Sequence, residues 1–290
     1  MSLAALAIVG MVVWIIGEIL LKGYHGLNPA FIFGGIEAGM FSVEKSGVFP
    51  MLFGTVALVM IMTVMVVPFG VITAVYLHEY ADQQAWWTRT IRLAVNNLAG
   101  VPAIVFGLFG LGFFVYFIGG GFDRLMNHPT PVWGKPALIW ASFTMAVLTL
   151  PVVVVSTEEA LRAVPQSIRD ASMGLGAGKL ETLWRLVIPQ AMPGILTGAI
   201  LAISRGAGEV APIMFTGAAY LAPLPDSLND QFMELGYHIL ILATQSPDVE
   251  ATKPLLFATV LVLIALTCAL NLLAILGRAY LRRKYRQLHH

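Results

Sequence analysis

Two charged side chains, Arg205 and Glu209, lie four positions apart inside an apolar run over residues 193–220. At this spacing they are expected to share one face of a helix. A charge at the centre of a membrane helix costs about 2.5 to 3.5 kcal/mol, so it usually faces a bundle interior or a watery cavity. A guanidinium offers a planar fork of N–H donors that suits an oxyanion. Two interpretations follow: an ion pair that only fixes packing, or an anion path in which Arg205 binds and Glu209 masks it.

The composition of the whole chain indicates a bilayer environment for this pair. Of 290 residues, 58% are hydrophobic and 11% are charged, against roughly 25% charged in typical soluble domains. An ordinary soluble enzyme is therefore excluded. The net charge of +1 offers no polycationic surface for nucleic acid. The single cysteine, Cys268, lies in an apolar run, so neither a disulfide framework nor a thiol metal cluster is expected.

Six apolar runs are long enough to cross the ~30 Å hydrocarbon core, which needs roughly 20 residues of helix. We predict an all-α integral membrane protein with six transmembrane helices. A seventh run, residues 235–243, is too short to cross and favours an interfacial or re-entrant helix. The six predicted spans are residues 3–21, 51–77, 93–118, 137–155, 193–220 and 255–276.

The basic residues predict the orientation of these spans. With six crossings both termini lie on the same side of the membrane. Placing the termini in the cytoplasm puts eleven Lys and Arg residues inside and five outside, with Arg205 within a span. Because basic residues are enriched in cytoplasmic loops, we predict cytoplasmic termini.

The segment between the fourth and fifth spans, about residues 158–193, is long enough to need structure of its own. We predict a helix that starts after Pro165, a glycine corner at residues 174–178, and a second helix over residues 179–187 that ends before Pro189. Two such helices form a protruding hairpin that a partner protein can bind. One apolar stripe is predicted on the second helix, from Leu180, Leu183, Trp184 and Val187.

Two motifs resemble a known family. The pattern Asp170-Ala171-Ser172-x3-Gly176-x9-Leu186-x-Ile188-Pro189 resembles the E-A-A-x3-G-x9-I-x-L-P loop of ABC importer permeases, which docks into a groove of the ATPase subunit. The stretch over residues 202–216, Ala-Ile-Ser-Arg-Gly-Ala-Gly-Glu-Val-Ala-Pro-Ile-Met-Phe-Thr, is similar to A-R-x-A-G-E-T-A-P-L-L-F-T of the PstA-type permeases of phosphate-specific ABC importers. Further similar stretches extend the resemblance through most of residues 50–280.

The resemblance implies a fold, an activity and partners. The implied fold is that of a type I ABC importer permease (MetI-like), and the implied activity is import of inorganic phosphate across the cytoplasmic (inner) membrane by alternating access. The implied partners are a second, homologous permease (PstC-like), two ATPase subunits (PstB-like) and an external phosphate-binding protein (PstS-like). We expect an N-terminal helix and outer loop over 1–49, the transmembrane domain over 50–281 and a basic cytoplasmic tail over 282–290.

The residue patterns and the resemblance together assign residues to two sites. The substrate path is expected to include Arg205, Glu209, Ser204 and Thr216. The ATPase-coupling loop is expected to include Asp170, Ala171, Ser172, Gly176, Leu180, Leu183, Trp184, Leu186, Ile188 and Pro189.

No catalytic residue, cofactor or metal site is expected in this chain. A phosphate-binding P-loop needs G-x-x-x-x-G-K-[ST], and the nearest approach in the coupling loop, Gly178-Lys179, is followed by Leu180. ATP and Mg²⁺ are therefore expected on the partner ATPase subunits. A permease for another anion (phosphonate, sulfate or molybdate) stays open as the alternative. A stand-alone secondary transporter and an intramembrane enzyme are the rivals from other classes, although the motifs H-E-x-x-H and G-x-S-x-G are missing from the sequence.

Overall fold

The computed structural model describes residues 2–35 and 47–287, and most of these residues are helical. Strand-type pairing within these ranges is limited to an isolated bridge between Ala218 and Phe232. Six of the described helices are long and apolar enough to cross a membrane, which confirms the predicted number. We number them span 1 to span 6: Ala4–Gly26, Phe49–Tyr80, Ala103–Leu125, Leu138–Arg162, Lys179–Gly206 and Val249–Tyr280.

The spans combine α-helix with wider π-helical segments. Their α-helical parts are Ser2–Gly23, Phe49–Val75, Ala103–Gly110, Gly120–Leu125, Leu138–Arg162, Lys179–Thr182, Ile188–Gly206 and Val249–Gln287, and their π-helical parts are Tyr76–Tyr80, Leu111–Gly119 and Leu183–Val187. The remaining helices are short: Tyr24–Gly26 (3-10), Pro29–Phe33, Trp86–Leu98, Gln166–Gly174, Ile213–Thr216 and Leu235–Gln245. The last of these has 11 residues, which confirms the prediction of a helix too short to cross.

The third span differs from its prediction of residues 93–118. An amphipathic helix, Trp86–Leu98, precedes it, and the span itself is Ala103–Leu125. The separation has a local cause, because Gly100 and Pro102 interrupt helical hydrogen bonding. Polar residues of the first helix, including Arg92 and Asn96, also keep that helix from being a crossing.

The core of the bundle lies where spans 2, 4 and 5 pack together. Leu58 and Met62 of span 2, Met145 of span 4 and Ala202 of span 5 belong to one buried apolar cluster. Backbones approach closely at Gly198, where a Cβ atom would lie 1.8 Å from Ser156 Oγ. Small residues at such positions allow membrane helices to pack by van der Waals contact.

The two ends of the bundle are distinct. At one end, called here the hairpin end, helix Gln166–Gly174 connects spans 4 and 5. At the other, the far end, Ala137 N–H bonds Thr216 O and Leu138 N–H bonds Asp230 O, so the segment after span 5 closes over the start of span 4.

The predicted division at residues 49 and 281 stays a prediction. Span 6 continues as a helix to Gln287, so most of the predicted basic tail extends this helix. Residues 36–46 of the predicted outer loop and residues 288–290 of the tail lie outside the described residues.

Candidate functional site

Span 5 ends inside the bundle. Its helix stops at Gly206, residues 207–212 are not helical, and the one-turn helix Ile213–Thr216 follows. The predicted span over residues 193–220 is therefore wrong at both ends, since the helix begins at Lys179 and ends 14 residues early. Gly206, Gly208 and Pro212 account for the early end, because glycine destabilises a helix and proline interrupts one.

Arg205 and Glu209 form an ion pair across this break. Arg205 Nε donates to Glu209 Oε1 at 3.2 Å, and the two side chains are 37% and 25% exposed. The prediction that they share one face of a helix is wrong, because Glu209 lies beyond the helix end. The pair is nevertheless formed, since the turn after Gly206 brings the carboxylate back towards the guanidinium.

The break lies level with the middle of span 2. A Cβ atom at Gly206 would lie 2.6 Å from Met62 Sδ, so the helix end packs directly on span 2. Met62 is about 20 Å from the far end of span 2 at 1.5 Å rise per residue. The ion pair, adjacent to Gly206, therefore lies level with the middle of span 2 and is partly open to its surroundings.

Ser204, predicted on the path, bonds a residue that the sequence analysis missed. Its hydroxyl donates to Asn271 Oδ1 at 2.6 Å and so joins span 5 to span 6 beside the ion pair. Asn271 interrupts the apolar run of residues 255–276, and a polar residue in a membrane helix is a signal for a site.

Thr216, also predicted on the path, is buried, whereas the ion pair is partly exposed. It is fully buried, and its hydroxyl donates to Pro212 O at 2.9 Å. It packs against Gly110 of span 3, where a Cβ atom would lie 2.8 Å from its methyl group. The structure thus gives Thr216 a packing contact in this conformation, and its role on the path stays a prediction.

The predicted coupling hairpin is present. Its first helix is Gln166–Gly174, in which Gln166 Nε2 donates to Asp170 Oδ1 at 3.0 Å. Gly176 at the corner has φ +93°, a left-handed conformation that favours glycine. The hydroxyls of Ser172 and Thr182 lie 2.9 Å apart and join the two arms. Ala171 is exposed on the first arm.

The second arm does not end before Pro189 as predicted. It continues into span 5, because the π-helical segment Leu183–Val187 leads into a new α-helix in which Pro189 occupies the first turn. Proline is tolerated in a first turn, where its missing N–H has no helical partner to lose. Leu186 is half-buried and Ile188 is buried.

The four predicted stripe residues divide between two faces. Leu183 and Val187 are buried against the end of span 4. Leu180 and Trp184 point outwards, with 59% and 63% exposed. With Leu175, which is 91% exposed at the corner, they form an apolar surface at the tip of the hairpin, defined here as the tip surface.

Both arms of the hairpin contact Glu79, which lies at the end of span 2. Arg169 of the first arm donates through Nη2 to Glu79 Oε1 at 2.8 Å, and both side chains are nearly buried. Lys179 of the second arm donates to the Glu79 carbonyl. The hairpin is thereby tied to the end of span 2.

The short helix Leu235–Gln245 carries two buried titratable groups. Glu234 caps its start by accepting the Tyr237 N–H at 2.7 Å, and burial raises the pKa of Glu234 to about 7. Burial lowers the pKa of His238, one turn on, to about 4. Neither ring nitrogen of His238 has a hydrogen-bond partner within the described part of the chain.

Comparison with known families agrees with this architecture. The family model described as "Binding-protein-dependent transport system inner membrane component" matches residues 66–287. The match includes the hairpin, the ion pair and the break in span 5.

Individual relatives are similar over much of the chain. The phosphate transport system permease protein PstA of Mycobacterium leprae (strain TN) is 34% identical over 203 residues, which cover 70% of this chain and 62% of that protein. The probable ABC transporter permease protein YqgI of Bacillus subtilis (strain 168) is 32% identical over 267 residues, or 86% of this chain and 84% of that protein. The chain thus aligns with less than two thirds of the mycobacterial relative.

A solved structure shares the fold. The MetNI methionine ABC transporter, in inward-facing conformations, has a chain that matches with a TM-score of 0.56 at 17% identity. The match covers 81% of this chain and 94% of that chain. The predicted six-helix, MetI-like fold is therefore confirmed.

Proposed function

Since this chain belongs to the family of binding-protein-dependent transport system inner membrane components, we propose that it is a permease subunit that imports inorganic phosphate by alternating access. The six spans and the family make it a multi-pass inner-membrane protein. The resemblance to PstA-type permeases stated from the sequence is confirmed by the mycobacterial relative. That relative is named as a phosphate transport permease, and we propose the same substrate for this chain.

The observation that carries the proposal is the Arg205–Glu209 pair at the break in span 5. A helix that ends at membrane depth supports a path, because irregular backbone there is tolerated only where it is buried in protein or lines a cavity. The guanidinium supplies the counter-charge that an oxyanion needs in a low-dielectric layer. The carboxylate repels the same anion, so it tempers affinity and allows release.

The energy for transport is proposed to come from partner ATPase subunits that hold ATP and Mg²⁺. Support comes from the tip surface, where Leu175, Leu180 and Trp184 are exposed at the glycine corner. Exposed aromatic and apolar residues favour a protein interface. Under this proposal the hairpin end and both termini are cytoplasmic, in agreement with the distribution of basic residues.

The full assembly is proposed to contain a second, homologous permease (PstC-like), two ATPase subunits (PstB-like) and an external phosphate-binding protein (PstS-like). The partial exposure of Arg205 and Glu209 supports a path at the surface between two permeases. In that arrangement the second permease covers the side of the path on which Arg205 and Glu209 are exposed.

Uptake of radiolabelled phosphate by the complete transporter in proteoliposomes tests the substrate. We expect saturable, ATP-dependent uptake that unlabelled phosphate inhibits and that sulfate, molybdate and phosphonate do not. Inhibition by one of those three anions, with import of that anion, would establish the alternative of a type I permease for another anion.

A further inference from the structure

Glu79, at the end of span 2, is bonded to both arms of the hairpin. We infer that Glu79 is a positioning residue that transmits movement of the hairpin to span 2, an inference that rests on the proposed coupling to ATPase subunits.

The first arm is held through Arg169. The Arg169 side chain is 9% exposed, and its guanidinium has three acceptors: Val164 O at 2.6 Å, Leu161 O at 2.9 Å and Glu79 Oε1 at 2.8 Å. Leu161 belongs to span 4, Val164 follows the end of span 4, and Glu79 belongs to span 2. Arg169 therefore joins the first arm to two spans at once.

The second arm is held through Lys179. Its ammonium group donates to the backbone carbonyl of Glu79 and lies 4.8 Å from the centre of the Tyr80 ring. Glu79 thus binds one arm through its side chain and the other through its main chain. A displacement of either arm must move Glu79 or break one of these bonds.

The contacts around Glu79 favour movement of the end of span 2 over a local distortion at Glu79. Glu79 lies in the π-helical end of span 2, where Leu77 O also accepts from Arg92 Nη2 at 3.0 Å and from Gln83 Nε2 at 2.8 Å. Arg92 also lies 3.4 Å from Glu158 of span 4. The last turn of span 2 is therefore bonded on several sides, so we expect a displacement of Glu79 to move the end of span 2 with it.

Buried ion pairs differ in this respect from exposed ones. An exposed pair yields because water replaces either partner, whereas breaking a buried pair leaves an uncompensated charge. The hairpin provides the comparison, since its Glu181–Arg185 pair is 47% and 77% exposed. Loss of that pair should not affect transmission.

The test compares Glu79→Gln, Glu79→Asp and Arg169→Lys with the control Glu181→Gln in the assembled transporter. The measured quantity is radiolabelled phosphate imported per ATP hydrolysed, alongside the amount of ATPase subunit co-purified. We expect Glu79→Gln and Arg169→Lys to retain the ATPase subunit and ATP hydrolysis but to import several-fold less phosphate per ATP. Glu79→Asp, which keeps the charge, should recover part of the ratio, and Glu181→Gln should match the wild type.

A second readout does not depend on the substrate. Spin labels at Ser167→Cys and Gln84→Cys, with Cys268 replaced by alanine, report the distance between the hairpin and the turn that directly follows span 2. We expect this distance to stay constant when a non-hydrolysable ATP analogue binds the wild-type complex. In the Glu79→Gln complex with the same analogue we expect a broader distribution of distances.

The possible failures are distinct. A wild-type transporter that imports no phosphate contradicts the proposed function and leaves the spin-label readout to decide the inference. An unchanged import ratio and an unchanged distance in Glu79→Gln overturn the inference. Loss of assembly in all three variants, with Glu181→Gln intact, would show that Glu79 is needed for folding or assembly and would also overturn the inference.

Discussion

The guanidinium of Arg205 lies 3.2 Å from the carboxylate of Glu209, although the helix that carries Arg205 ends one residue later at Gly206. The pair therefore bridges a helix and an irregular segment and is not a bond along one helix. A contact of this kind can open without unfolding a helical turn. This relationship makes the pair suitable for binding and releasing an anion during a transport cycle.

Neutralising Glu209 should strengthen anion binding and slow release. In Glu209→Gln no carboxylate competes with the anion for the Arg205 guanidinium. We therefore expect a lower half-saturating phosphate concentration and a lower maximal rate. Initial uptake rates across a range of phosphate concentrations measure both. Equal kinetics in variant and wild type would assign the carboxylate a packing role, and co-purification of the ATPase subunit controls for assembly.

A charge on the tip surface should prevent ATPase binding. Trp184 is 63% exposed, and a central aromatic anchor contributes at least about 2 kcal/mol, roughly thirtyfold in Kd. We expect this loss in Trp184→Asp, measured as the affinity of a purified ATPase partner for the permease pair. Leu228→Asp, at a residue 47% exposed at the far end, is the control and should bind normally; equal binding by both would refute the docking surface.

A single methyl group at Gly198 should destabilise the contact between spans 4 and 5. The added Cβ would lie 1.8 Å from Ser156 Oγ, and such overpacking costs about 1 to 3 kcal/mol. We expect a lower thermal midpoint for Gly198→Ala in detergent. Gly112→Ala is the matched control, because its added Cβ would have no heavy atom within 4 Å among the described residues outside its own stretch of helix, and a similar loss in both variants would contradict the packing.

The stability of the far end should depend on pH in opposite ways through Glu234 and His238. The pKa of Glu234 is raised from 4.5 to about 7, so its stabilising contribution is present below pH 4.5 and is lost as pH rises to 7. The pKa of His238 is lowered from 6.5 to about 4, so its contribution is present above pH 6.5 and is lost as pH falls to 4. Each full shift corresponds to on the order of 3 kcal/mol.

Between pH 4.5 and 6.5 the two slopes oppose each other, so the wild-type thermal midpoint should change little. Glu234→Gln should become more stable as pH rises through this window, and His238→Asn should become less stable. Thermal unfolding of the detergent-solubilised chain at several pH values measures these slopes. Parallel curves for the wild type and both variants would contradict the assignment.

The sequence predicted the elements whose signals are local. The number of spans follows from the lengths of apolar runs, and the hairpin follows from Pro165 and the glycines of residues 174–178. The positive φ of Gly176 agrees with a predicted corner at that point. These features depend on backbone preferences that a short window of sequence contains.

The features that the sequence did not reveal depend on distant or continuous signals. Hydropathy stays high from Val210 to Phe215, which concealed the end of span 5 at Gly206. The Arg169–Glu79 bond joins residues 90 positions apart, and no local pattern pairs them. The π-helical segment Leu183–Val187 changes the helical register, so one predicted stripe became two faces.

Phosphate uptake by Arg205→Gln tests the central claim most directly. Hydrogen bonds to a charged group contribute about 1.5 to 3 kcal/mol, which corresponds to a ten- to hundredfold change in rate or affinity. In a transporter that still assembles and binds its ATPase, we expect Arg205→Gln to reduce the initial rate of radiolabelled phosphate uptake by about that factor. Uptake at the wild-type rate would contradict the assignment of Arg205 to the substrate path.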